Sequence, residues 1–382
     1  MATFAPLIFL MLPKVINEIM DKGGRDFGYE YVPIKLKAND LNSRSKELPW
    51  LNKPGLIVHD SIDSQLKELA KLRNPSKPLT ESAINEFVNE MLGGVSMEEY
   101  GVWVYYPWRH TLTHLLDEEE FIEVRTVRNK VKITQKEQEE LRNKTVGIIG
   151  LSVGQSVAVT IAMERIAGTI RIADFDYLEL SNLNRIRTSV LNLGLPKCML
   201  LAREISEIDP FINVEVFPAG ITIANVQDFV CGGSKLDLMI EECDSVDVKV
   251  FSRNIARQNM VPVIMDTSDL LLLDVERFDE QHERPILHGL IQENLNDLND
   301  FEKNKMVMKL IELDKVSDRG KESLFEIGKS ITNWPQLATD VIAGGAHAAM
   351  IAREILLGKP VASGRTRLDF INFHNQNARF KP

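Results

Sequence analysis

From residue 145 onward the sequence alternates between short apolar runs and helical patterns, and few architectures tolerate that rhythm. Val146–Gly150, Ile170–Asp174, Val214–Phe217, Leu236–Glu241 and Val261–Met265 read as strands too uniformly apolar to keep one face in water. Strands of that kind are covered on both sides, as happens in parallel sheets. Helical patterns near Val153–Ile166, Lys197–Ile208, Ala224–Val230 and Val248–Gln258 fill the gaps. The alternation predicts an α/β fold with a doubly wound, mostly parallel sheet. A core over 144–275 would then carry crossover and C-terminal elements over 276–382, within a domain spanning 116–382.

The flanks are less regular. Residues 1–115 predict a separate small α/β unit: a strand at Leu7–Leu12, a helix at Lys14–Met20, a turn at Gly23-Gly24, a strand at Leu56–Asp60, helices at Ser64–Leu72 and Thr80–Leu92, and a strand at Val102–Tyr106. Its Trp103, Tyr105, Tyr106 and Trp108 read as core and interface. Thr134 and Glu137 form a T-x-x-E capping box, which starts a helix running to about Arg142. Beyond Asp266 an acidic, amide-rich stretch leads to a helix at Ala343–Leu357 and an alternating, strand-like Arg365–Asn372.

Composition narrows the function classes. The chain has 382 residues, with 45 basic and 55 acidic side chains and a net charge of −10. With no long basic run, it is a poor candidate for nucleic-acid binding. Its 3 cysteines, Cys198, Cys231 and Cys243, give neither a disulfide framework nor a zinc-binding pair, so no zinc is expected. The apolar Pro6–Leu12 run lacks the flanks of a signal peptide, and no stretch reaches the ~20 apolar residues needed to span a bilayer. The expectation is a soluble, cytoplasmic protein.

The chemistry-bearing residues fall at strand ends. The first strand enters Gly150-Leu151-Ser152-Val153-Gly154-Gln155, a small-residue turn opening a helix, suited to cradling a phosphate. The same turn reads as G-x-S-x-G, so a hydrolase with Ser152 as nucleophile and His282 or His288 downstream stays open. Asp174 lies 24 residues after Gly150, where a ribose partner belongs, and Asp176 could act as a cap. Ser181-Asn182-Leu183-Asn184-Arg185 and Gly194-Leu195-Pro196-Lys197 follow, with Arg185 and Lys197 suited to clamping a triphosphate. Asp244, at the end of the fourth strand, could ligate magnesium, while Glu241 reads as a buried strand-end residue.

Together these motifs resemble the ThiF/MoeB superfamily of adenylating enzymes, relatives of the ubiquitin-activating enzymes. The carrying residues are Asp174-Phe175-Asp176, Leu180-Ser181-Asn182-Leu183-Asn184-Arg185, Gly194-Leu195-Pro196-Lys197 and Glu241-Glu242-Cys243-Asp244. The resemblance implies a Rossmann-like fold and adenylation of a carboxylate by ATP with Mg2+. Either the C-terminus of a small ubiquitin-like carrier protein or a small molecule would supply that carboxylate. It also implies that Asp174 binds the ribose, that Asn182, Arg185 and Lys197 hold the phosphates, and that Asp244 binds the metal. Gly150, Ser152, Gly154, Asp176 and Ser181 complete the implied nucleotide site. Arg128, with Arg125 as alternative, would reach a neighbouring subunit's site, which implies a homodimer. The family's G-x-G-G-x-G has glycines replaced here, Ile186 stands where glutamine is usual, and no cysteine after residue 244 offers a thioester nucleophile. A nucleotide-binding pseudoenzyme or partner-recognition module is the alternative. The block from Asp266 to Gly289 also resembles bacterial ThiF-type proteins fused to a nitroreductase-like domain, implying either a standalone relative or part of a longer protein.

Overall fold

The computed structural model describes residues 30–43, 48–76, 78–295 and 298–378. The expected strand, helix and turn at Leu7–Leu12, Lys14–Met20 and Gly23-Gly24 lie outside the described residues.

The N-terminal part is built on strands β1 (Ile34–Leu36), β2 (Ile57–Asp60), β3 (Val102–Tyr106) and β4 (Thr111–Leu115), in the order β1-β3-β4-β2. Helices α1 (Ala38–Ser43), α2 (Ile62–Arg73) and α3 (Glu81–Leu92) accompany them. Leu66, Leu69, Ile84 and Val88 form a core with Leu116 between α2 and α3. The aromatic residues divide as the sequence suggests. Tyr105 stacks on Trp50 at 3.8 Å, whereas Trp108 donates to Glu207 (2.5 Å) and Arg109 pairs with the same carboxylate (2.8 Å). Aromatic packing therefore fills this unit, and Trp108 and Arg109 dock it on the helix of the larger unit that carries Glu207.

Helices α4 (Glu118–Arg125) and α5 (Gln135–Leu141) lead into that sheet, and the predicted Thr134–Glu137 capping box starts α5. The second sheet has seven strands: β5 (Thr145–Ile149), β6 (Thr169–Ala173), β7 (Asn213–Phe217), β8 (Leu238–Glu241), β9 (Val263–Thr267), β10 (Leu272–Glu276) and β11 (Gly364–Thr366). Their order is β11-β10-β9-β8-β5-β6-β7; the strands from β9 to β7 run parallel, and β10 and β11 add antiparallel edges. The chain leaves β5 on one side for β6 and β7, then returns on the other for β8 and β9. That reversal makes the crevice between β5 and β8 a topological switch point.

Both faces are covered, as the apolar strands require. Val146, Ile148, Leu238 and Ile240 face α6 (Gly154–Glu164) and α7 (Lys197–Ile208). Ile149 and Met239 face α8 (Val226–Cys231) and α9 (Val246–Gln258). The region after Asp266 holds more structure than its composition suggests. Leu270 and Leu271 both take positive φ in the hairpin before β10, a turn without glycine that conceals the strand from sequence reading. Helices α10 (Asp300–Leu310) and α11 (Asp318–Glu326) are capped by Asn299 and Ser317. The long helix α12 (Ala338–Leu356) begins before the expected Ala343. The expected strand at Arg365–Asn372 needs correction. Only Gly364–Thr366 pairs, because Asp369 accepts the Asn372 N–H and starts helix α13 (Phe370–Asn377).

Candidate active site

At the C-terminal edge of the parallel strands, by the switch point, lies a cavity of about 880 Å3. That volume suits a small-molecule ligand. Gly150, at the end of β5 beside the cavity, has φ +84°, and a Cβ there would sit 2.8 Å from the Cys243 backbone nitrogen. Glycine is therefore required twice over, by conformation and by the close pass of the β5–α6 turn against the loop after β8.

Ser152, Asp176, Asn182, Arg185, Lys197 and Asp244 all line this cavity. Lys197 opens α7 and is buried, and its ammonium meets Asp176 at 2.8 Å. Arg185 Nε donates to the Ser152 hydroxyl (2.9 Å), binding the S-N-L-N-R loop to the glycine turn. Burial lowers the Arg185 pKa, and nearby Asp244 opposes that shift. Asn182 sits in a 3-10 turn (Leu180–Asn184), its carbonyl oxygen accepting the Glu179 N–H. Next to it, the Asn184 side-chain amide donates to the Gln336 carbonyl (2.7 Å) and ties the loop before α12 over the site. Gln155, one of the replacements in the glycine turn, is buried and turned away, donating to Glu204 and to the Arg187 carbonyl.

Asp174, Gly150, Gly154 and Ser181 do not line the cavity: Asp174 and Gly154 are buried behind its wall, and Ser181 is exposed outside it. Asp174 is buried, and its two oxygens accept the N–H groups of Leu151 and Asp176, each at 2.7 Å. It thus shapes both loops at once. Burial raises its pKa, while those two amides act in the opposite direction.

Of the two upstream arginines, Arg125 is committed to the fold: it donates to the Ala162 and Met163 carbonyls at the end of α6 and pairs with Asp209. Arg128 is exposed and stands away from the cavity lining. The hydrolase alternative is not supported. His282 bonds to the Phe278 carbonyl, His288 is held by Asp274 and Arg284, and neither lines the cavity that holds Ser152.

Glu241 is the buried strand-end residue expected, with Lys249 (3.0 Å) and Arg253 (2.6 Å) on its carboxylate. Burial alone would raise its pKa; the two cations hold it down at about 2. Cys243 lies just past β8 rather than in it, lines the cavity, and donates its thiol to Glu241. Burial, then the Glu241 charge, push its pKa well up, which makes it a poor nucleophile. Burial also pushes the Cys198 thiol up, to about 11.

Of the four cavity acids that sequence reasoning missed, Glu179, Glu242, Asp266 and Asp269, the pair Glu242 and Asp266 lie side by side. Only the strand pairing brings them together. Glu242 Oε1 accepts the Asp266 N–H (2.9 Å), and burial raises both carboxyls well above the ordinary range.

Residues 126–363 match the ThiF family, and the chain belongs to that family. Uncharacterized protein MT1398 of Mycobacterium tuberculosis is 43% identical over 328 residues, covering 82% of this chain and 45% of that protein. The tRNA threonylcarbamoyladenosine dehydratase 2 of Saccharomyces cerevisiae is 29% identical over 149 residues, 38% of this chain and 33% of that protein. The chain therefore spans less than half the length of either relative. Among solved structures, the E. coli tRNA N6-threonylcarbamoyladenosine dehydratase TcdA in complex with AMP aligns at TM-score 0.47 and 20% identity, covering 64% of this chain and 98% of that one.

Proposed function

We propose that this protein is an adenylyltransferase that activates a carboxylate with ATP. The observation that carries the reading is the convergence of Arg185, Lys197, Asn182 and Asp244 on one cavity, beside a glycine turn at the switch point. The turn and the start of α6 offer backbone N–H groups to phosphate. Lys197 and Arg185 neutralise the charge that develops as pyrophosphate leaves. Asp174 would act from behind the wall, fixing through the Leu151 and Asp176 amides the loops that border the ribose, with Gly150, Gly154, Ser152 and Ser181 setting the shape of those loops. Asp244, an exposed carboxylate at the cavity wall, fits Mg2+, which is commonly held by one or two carboxylates together with substrate phosphates. The metal would supply charge neutralisation on those phosphates.

In the reaction a substrate carboxylate oxygen attacks the ATP α-phosphorus. The bond to the bridging oxygen breaks, and pyrophosphate departs with the electron pair. The chain's contribution is positioning and electrostatics. Pyrophosphate exchange over a panel of carboxylates tests this. Lys197→Ala should lower exchange by at least 100-fold, on the order of what one removed oxyanion donor costs. Undiminished exchange in that variant, or no ATP binding by the parent protein, would refute the reading. The pseudoenzyme reading would instead be favoured by ATP binding without exchange on any carboxylate. The subunit arrangement we infer is a homodimer, with Arg128 reaching the neighbouring site, and the domain division we favour is 1–115 and 116–382.

A further inference from the structure

The acids beyond the nucleotide end point to the class of substrate, an inference that rests on the adenylation reading above. Strand register sets their positions. Ile149 pairs with Glu241, which puts Gly150 beside Glu242; Ile240 pairs with Ile264, which puts Glu242 beside Asp266. Two strand spacings, about 10 Å, therefore separate the glycine turn from Asp266. This is a short span for a substrate to bridge.

Asp266 is only 4% exposed yet lines the cavity. The Thr267 amide favours its charged form from nearby, but among the described residues no donor meets either carboxylate oxygen at hydrogen-bonding geometry. Glu242 Oε2 is in the same position. Buried oxygens without donors cost about 1–3 kcal/mol each, so three of them in one place call for an external donor. The fold also makes room for them: a Cβ on Gly344 of α12 would lie 2.0 Å from Asp266 Oδ2. The surrounding charges do not meet the need. Lys249, reaching in from α9, is engaged by both Glu241 oxygens (3.2 and 3.0 Å), and Asp340 on α12 adds further negative charge. Beyond the acids the wall is mostly apolar, formed by Met308, Leu310, Ile311, Val316, Leu324 and Trp334, and the cation there, Arg367, is held by the Ile311 carbonyl.

We infer that the carboxylate substrate is an α-amino acid with an apolar side chain. Its ammonium donates to Asp266 and Glu242, its side chain rests on the apolar wall, and its carboxylate faces the phosphate turn. Attack on the α-phosphorus then yields an aminoacyl-adenylate and pyrophosphate, with the ammonium keeping its protons throughout. A carrier protein ending in a glycine tail has only an amide N–H next to its carboxylate, so this end of the cavity selects against it.

Calorimetry on the intact chain in the presence of ATP tests this, with leucine, methionine and phenylalanine, the deaminated analogue of each, and a peptide ending in two glycines as probes. At least one amino acid should bind ten-fold or more tightly than its deaminated analogue and than the peptide. Asp266→Asn should erase that preference. Glu242→Gln serves as the second variant should the first fail to fold. Equal affinity for amino and deaminated forms, a preference that survives both substitutions, or binding of the glycine peptide above all amino acids would overturn the inference. So would a titration in which Mg2+ alone binds and is lost with Asp266→Asn, because the acids would then be a cation site. ATP binding by the unsubstituted chain, read in the same experiment, separates the two ideas. Its absence refutes adenylation, whereas its presence without an amine preference refutes only the substrate class.

Discussion

Arg253 has no access to water and holds two carboxylates at once, Glu241 at 2.6 Å and Glu276 at 2.6 Å. Burying three charged groups is expensive, and it is sustained because Glu241 also meets Lys249 and Glu276 also accepts the Leu287 N–H, although Arg253 Nη2 has no partner among the described residues. The network fixes the ends of β8 and β10 relative to α9, directly under the cavity. Removing only the cation leaves two buried carboxylates facing each other. Arg253→Met should therefore lower stability by about 3–5 kcal/mol, visible as a reduced urea midpoint. An unchanged midpoint would mean that the acids find other partners. At the same scale Asp174 illustrates what sequence can and cannot convey. Its spacing from Gly150 marked it for the site, but its position behind the wall, bonded to two loop amides, depends on how those loops fold.

Helix α12 does more for the site than its apolar pattern suggests. Gly344 leaves space for the Asp266 carboxylate and Gly345 for the Ser156 side chain, so the helix lies close against both β9 and α6. An added methyl at residue 344 would have to displace the carboxylate or the helix. Gly344→Ala should cost about 1–3 kcal/mol, the usual penalty for overpacking, and lower the thermal midpoint accordingly. If the substitution raised that midpoint, the close approach would not be tight. The parallel core was legible because buried strands and their helices carry strong apolar signatures, and β5 through β9 each begin or end within two residues of the expected bounds. The antiparallel edge was not. The turn before β10 uses two leucines, β11 is three residues long, and the run after it is recruited into a helix by Asp369. The cavity-lining residues Ser152, Asp176, Asn182, Arg185, Lys197 and Asp244 were legible because their motifs are local in sequence. Glu242 and Asp266 were not, because their meaning comes from being neighbours across two strands.

On the scale of the whole molecule, the N-terminal sheet docks through Trp108 and Arg109 on α7, the helix that begins with Lys197. Arg128 lies on the short 3-10 turn Val127–Asn129, between α4 and α5 and away from the cavity, where only a second copy could present it to a nucleotide. Mixing Arg128→Ala with Lys197→Ala protein gives the corresponding prediction. If sites are shared between subunits, two inactive preparations should recover about a quarter of the parent pyrophosphate exchange, because each mixed dimer keeps one intact site. No recovery after subunit exchange would mean that each site is complete within one chain. The Lys197–Asp176 contact has a consequence of its own for such a molecule. A cation already neutralised by a neighbour attracts stray anions weakly, so inorganic phosphate or chloride gains little by entering. If the adenylation proposal holds, a nucleotide would replace Asp176 and engage the turn and Arg185 in the same event. On that proposal the resting pair would work as a filter against simple salts, passing only an anion large enough to satisfy several contacts together.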